Sequence, residues 1–179
     1  MSQLLLIAQF TVGTVFLLSV ASKLTHHRAF ARAIEDYEIV PEPMALSLSV
    51  SIILIETWLG VTHFAGWWLR VAAPLGIGVF ITFAVAVAIN LRRGRVLPCY
   101  CFDASGGEPI SDRTLLRLVL LIFIEAFLMA NPSQLSTYSA VSAGTLYLAD
   151  LAWYFFCAML LLVAFSWLLS LPEVAELLR

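Results

Sequence analysis

Apolar positions in this chain fall into long runs separated by short polar connections. A helix needs roughly 20 mostly apolar residues to cross the hydrocarbon of a bilayer. Five runs approach or meet that length: Leu4 to about Ser22, Met44 to about Phe64, about Leu69 to Leu91, about Leu115 to Ala130, and about Leu146 to Leu171. The pattern predicts an all-α polytopic membrane protein. The first four spans are expected to form a compact antiparallel bundle over residues 1–130. Residues 131–179 are expected to supply an outer loop, a fifth transmembrane helix packed alongside, and a short tail.

The connections carry their own patterns. In the first, Phe30, Ala33, Ile34 and Tyr37 repeat at i, i+3, i+4, i+7, the signature of one helix face. Arg28, Arg32, Glu35, Asp36 and Glu38 are left for the wet side. A short interfacial helix is therefore predicted, broken by Pro41 and Pro43 before the second span. The second connection, His63 to Trp68, is tight, so spans two and three should be antiparallel neighbours, with Trp67 and Trp68 at headgroup level. Pro74 and Gly76-x-Gly78 inside the third span point to a kink or close helix packing. Ser111 or Asp112 fits the N-cap of the fourth helix.

Composition agrees with the pattern. Of 179 residues, 61% are hydrophobic and 12% charged, against about 25% charged in soluble domains. Mean hydropathy is +0.95. The partner implied is a lipid bilayer, in a bacterial inner (plasma) membrane. A net charge of −2 provides no basic surface for nucleic acid. The first run has no basic residue before Lys23 and no A-x-A-like cleavage site after it, so it reads as a retained span rather than a signal peptide. Lys23, Arg28 and Arg32 lie in the first connection, and Arg92, Arg93, Arg95, Arg113 and Arg117 in or beside the third. Counting positive charge puts the N-terminus outside and the first and third connections in the cytoplasm.

The third connection also holds Cys99-Tyr100-Cys101, two of the three cysteines. A disulfide between residues i and i+2 closes a small ring and departs from relaxed geometry. Strained disulfides are the labile, oxidising ones. Cys99 and Cys101 therefore suit exchange better than stapling, and Arg92, Arg93 and Arg95 would favour a thiolate. Two thiols in an ordered loop is the plainer alternative. A zinc site would need about four ligands, so metal binding here would need a partner chain. Cys157, among Phe155, Phe156 and Met159, reads as a small hydrophobe.

Glu56 and Glu125 lie inside apolar runs, where an ionisable group is expensive and is a functional candidate by default. They could relay protons or hydrogen-bond a quinone head group. The structural alternative is a protonated acid joining helices through Thr57, Ser51 or Thr11. Lys23 is expected to snorkel or to pair with Glu35 or Asp36, and His63 to be an interfacial residue.

The run Arg93-Gly94 … Cys99-Tyr100-Cys101-Phe102, followed by Pro109-Ile110-Ser111 and Arg117, resembles the methylamine utilisation protein MauE family, related to the DoxX-like membrane proteins. Ser22-Lys23, Tyr37 … Val40-Pro41 and Glu56 … Gly60 extend the likeness back through the chain. It covers about residues 1–130. The resemblance implies work with a thioredoxin-like partner in disulfide formation or maturation of another protein. It makes Cys99 and Cys101 the redox pair, with Glu56 and Arg117 in support. Tyr100 and Asp103 stand where that family usually has glycine, so the loop geometry here is its own.

Three functional readings follow. The preferred one is a thiol–disulfide redox component, with a quinone as a candidate electron acceptor. The second is a non-catalytic accessory subunit of a larger membrane complex. The third is Cu(I) handling by the soft thiolates.

Overall fold

The structure is a computed structural model that describes residues 2–100, 109–131, 150 and 152–164. Its helices are α1 (Ser2–Thr25), α2 (His27–Asp36), α3 (Ala45–Ala65), α4 (Leu69–Arg92) and α5 (Asp112–Ala130), with a 3-10 turn at Glu42–Met44. A further helix, α6, covers Ala152–Ala164. Cys101, most of the fourth connection and the ends of the predicted fifth span lie outside the described residues.

The four long helices form a ring. α1 packs on α3 and α5, and α4 packs on α5 and α3. This is the predicted bundle, closed by contacts between helices far apart in sequence. Among the described residues, three helices are long and apolar enough to cross a membrane on those grounds alone: α1, α3 with its preceding turn, and α4. α5 completes the ring while carrying Asp112, Arg113, Arg117 and Glu125 within its 19 residues. α1 is the most enclosed element, with Leu5, Val12 and Phe16 covered. Exposed Leu54, Ile81 and Val85 give α3 and α4 apolar outer faces, as expected where lipid is the solvent.

The turns follow from local chemistry. Gly66 ends α3 in the left-handed conformation, its N–H donating to the Thr62 carbonyl, which satisfies one of the orphan acceptors of a helix end. Trp67 and Trp68 follow it and are exposed, as headgroup anchors should be. α4 runs unbroken through Pro74. The Ser111 backbone N–H donates to Thr114 Oγ1 at 3.2 Å, starting α5 with Ser111 as the N-cap.

Candidate functional site

The cysteine segment leaves α4 through a fixed neck. Gly94, at φ 68°, turns the chain, and its N–H donates to the Leu91 carbonyl at 2.9 Å. Pro98 and Pro109 then form an isolated antiparallel bridge, and the Ile110 N–H donates to the Leu97 carbonyl at 2.9 Å. The excursion carrying the cysteines is thus tied at its base. Cys99 is only 5% exposed and belongs to the main apolar cluster. Tyr100 is equally buried and packs edge-on against Phe30 of α2, with ring centroids 5.9 Å apart. Cys101 lies outside the described residues.

α2 is the predicted interfacial helix, and it lies beside the cysteine segment as expected. Phe30 and Ala33 are buried, and Ile34 packs with them against Tyr100 and α3 residues Ile52 and Ile53. Two of the arginines have partners at the end of α2. Arg95 donates to the Asp36 carbonyl at 2.9 Å and pairs with the Glu38 carboxylate. Arg93 and Asn90 both reach the Tyr37 carbonyl, at 3.4 and 3.3 Å. These side chains satisfy the last carbonyls of α2, where cations are favoured by the helix dipole. Arg93 and Arg95 therefore clamp the end of α2, and Arg92 is exposed. The Arg95 guanidinium holds the Glu38 carboxyl below its usual range.

Beneath α2 lies a buried ion pair. Lys23 Nζ meets both carboxylate oxygens of Glu56 at 2.7 Å, and both side chains are enclosed. Lys23 also donates to Ser19, and Ser19 Oγ donates to Glu56 Oε1 at 3.4 Å. Phe30 and Phe83 cover the ammonium, their ring centroids 5.3 and 5.1 Å away, a cation–π arrangement. Lys23 thus neither snorkels nor pairs with Glu35 or Asp36. The hydroxyls expected as partners of Glu56 and Glu125 instead bond their own helices: Thr57 to Ile53, Ser51 to Ser47 and Thr11 to Ile7. A back-bond to the preceding turn is always within reach of a helical Ser or Thr.

A second polar couple joins α3 to α5. His63 is fully buried rather than interfacial. Its Nδ1 lies 2.8 Å from the Leu59 carbonyl; a carbonyl only accepts, so Nδ1 carries a hydrogen. Its Nε2 lies 3.2 Å from Glu125 Oε2. Glu125 Oε1 has no hydrogen-bond partner among the described residues. It lies over Gly76 of α4: a Cβ there would sit 2.9 Å from Glu125 Cδ and closer still to Oε1. Gly76 is therefore the close-packing glycine of its pair, whereas Gly78 faces open space. Gln9 donates to the His63 carbonyl and ties α1 into the same layer.

Ser19, Gln9 and Asn90 escaped the sequence reading, although a signal was present. Gln9, Phe16 and Lys23 repeat at seven-residue intervals on α1, as do Glu56 and His63 on α3. That spacing places each set on one helix face. Arg117 lines a groove between α1, α5 and α6. Cys157 is half-buried on α6. Among the described residues no group of three His, Cys, Asp or Glu could hold a metal ion.

The fold and site define a polytopic α-helical membrane protein whose bundle buries two polar couples and carries an amphipathic helix beside a cysteine-bearing segment. Residues 1–131 match the family described as methylamine utilisation protein MauE, and the chain belongs to that family. It is 30% identical over 115 residues to the methylamine utilization protein MauE of Paracoccus denitrificans. That match takes in 62% of this chain and 60% of the relative's length. No solved structure gives a significant match.

Proposed function

We propose that this protein is a membrane thiol–disulfide redox component acting through Cys99 and Cys101, with a thioredoxin-like partner, in the maturation of another protein. One cysteine thiolate attacks the partner's disulfide, forming a mixed disulfide and releasing one partner thiolate. The other cysteine attacks that mixed disulfide. The pair is left oxidised by two electrons and the partner reduced; the reverse sequence oxidises the partner. In that reverse direction the pair must pass two electrons onward, and a bilayer quinone is the acceptor class we assign.

The observation that carries this reading is the tied neck at Pro98 and Pro109, with Cys99 anchored beside it through Tyr100 and α2. Resolution of a mixed disulfide is fast only when the second thiol is already positioned. The tied neck holds the Cys99 end of the segment for that step. Family membership supports the same class of role, methylamine utilisation being the process in the family's description. The distribution of Lys and Arg supports a cytoplasmic loop.

The test is trapping. Cys99→Ser and Cys101→Ser, each expressed in intact cells, should leave a long-lived mixed disulfide with a thioredoxin-fold protein in at least one case, visible on non-reducing gels. Function retained in both variants with no adduct would sink the proposal. An impermeant thiol reagent applied before and after reduction reads out the side of the loop. The burial of Cys99 favours a second reading, a non-catalytic subunit of a larger membrane complex. In that case both serine variants assemble and function normally.

A further inference from the structure

The groove that Arg117 lines is not used by the thiol reading. It runs between α1 and α5 and is closed on a third side by Leu161 and Leu162 of α6, with a volume of about 560 Å³. Its α1 wall extends from Leu4 to Leu18, a rise of about 21 Å. One leaflet of a bilayer offers about 15 Å of hydrocarbon, so the groove is long enough for one acyl chain. The walls are apolar except for Thr11 and Arg117, and the Thr11 hydroxyl is spent on the Ile7 carbonyl at 2.7 Å.

The α5 wall is ordered by chemistry. Arg113, Arg117, Leu120, Leu121, Ile124 and Phe127 follow one another at helical spacing, and all but Arg113 line the groove. The stripe begins with two cations near the start of the helix and continues as hydrocarbon. This is the order of charge and grease along a phospholipid held upright in one leaflet. Basic pockets between transmembrane helices are recognised sites for anionic head groups.

We infer that this groove binds an anionic phospholipid of the surrounding bilayer, with its phosphate at Arg117 and Arg113 and one acyl chain laid along α1 and α5. The site is independent of the cysteines. Its consequence is mechanical: the bound chain fills the seam where α6 meets the bundle and ties that helix to it.

The experiment uses the full chain reconstituted in phosphatidylcholine vesicles, with spin-labelled phosphatidylglycerol or phosphatidylcholine as the probe. Electron paramagnetic resonance reports the motionally restricted fraction of each. The wild type should retain phosphatidylglycerol preferentially, by about five-fold for each arginine that reaches the phosphate. Arg117→Gln should cut that preference about five-fold and leave phosphatidylcholine unchanged, while Arg117→Lys should largely keep it. Ile124→Trp, which fills the groove, should reduce restriction of both lipids. Equal restriction of the two lipids by the wild type would overturn the inference. So would a preference that survives loss of both arginines. A groove found filled by residues 165–179, or by a neutral quinone recovered with the protein, would overturn it too.

Discussion

Lys23 and Glu56 are buried against each other, so altering one strands the other. Glu56→Gln leaves an ammonium enclosed by Ser19 and two phenyl rings with no carboxylate to balance it. Removing one partner of a buried pair costs about 3–5 kcal/mol. The Glu56→Gln variant should therefore unfold at markedly lower denaturant in detergent. The double variant Lys23→Met, Glu56→Met should recover most of that loss, because a matched apolar pair strands no charge. If the single and double variants are equally unstable, the pair is not the reason. Gly76 offers a sharper test. In Gly76→Ala the new methyl meets the Glu125 carboxyl, which the His63 contact holds in place. Overpacking of this kind costs about 1–3 kcal/mol, to be read as a lowered unfolding midpoint. Gly78→Ala on the same helix should be neutral or mildly stabilising, since nothing lies near it.

α2 links the cysteine segment to the buried pair. Phe30 touches Tyr100 on one side and covers Lys23 on the other. Phe30→Ala should raise hydrogen exchange across residues 27–36 and speed alkylation of Cys99; unchanged rates would show that α2 does not cover this region. The clamp at the end of α2 is pH-sensitive through Glu38, whose carboxyl Arg95 holds below the usual carboxylate range. A depressed folded-state value means that the contribution is full above the unfolded value and is lost as pH falls through the folded one. Exchange at the C-terminal end of α2 should therefore rise only under acid, below the ordinary glutamate value of about 4.3. In Arg95→Gln it should already be high at neutral pH. The apolar face of α2 was legible in sequence because it repeats at helical period within ten residues. The clamp was not, because Arg93 and Arg95 reach α2 from more than fifty residues away.

At the scale of the molecule, the inside and outside of the bundle are both apolar, so hydropathy alone cannot separate them. Leu59 is fully buried between helices, while Leu54, on the same helix, is 64% exposed. With no hydrophobic drive between helices in lipid, packing carries the difference. Leu59→Ala should cost about 2–5 kcal/mol, and Leu54→Ala within about 0.5 kcal/mol, measured by unfolding in micelles. Similar losses at both positions would contradict the helix order described here.

The sequence by itself determined that the chain is helical and membrane-spanning, where its bundle helices run, and that an amphipathic helix lies between the first two. Those properties depend on runs and periods within one segment. It also marked Glu56 and Glu125 as exceptional, because an ionisable side chain inside an apolar run is conspicuous wherever it points. Only the tertiary structure decided their partners. Lys23 joins Glu56 across 33 positions, and His63 joins Glu125 across 62. Such pairings depend on which helix faces meet, and that is set by the packing of all four helices together.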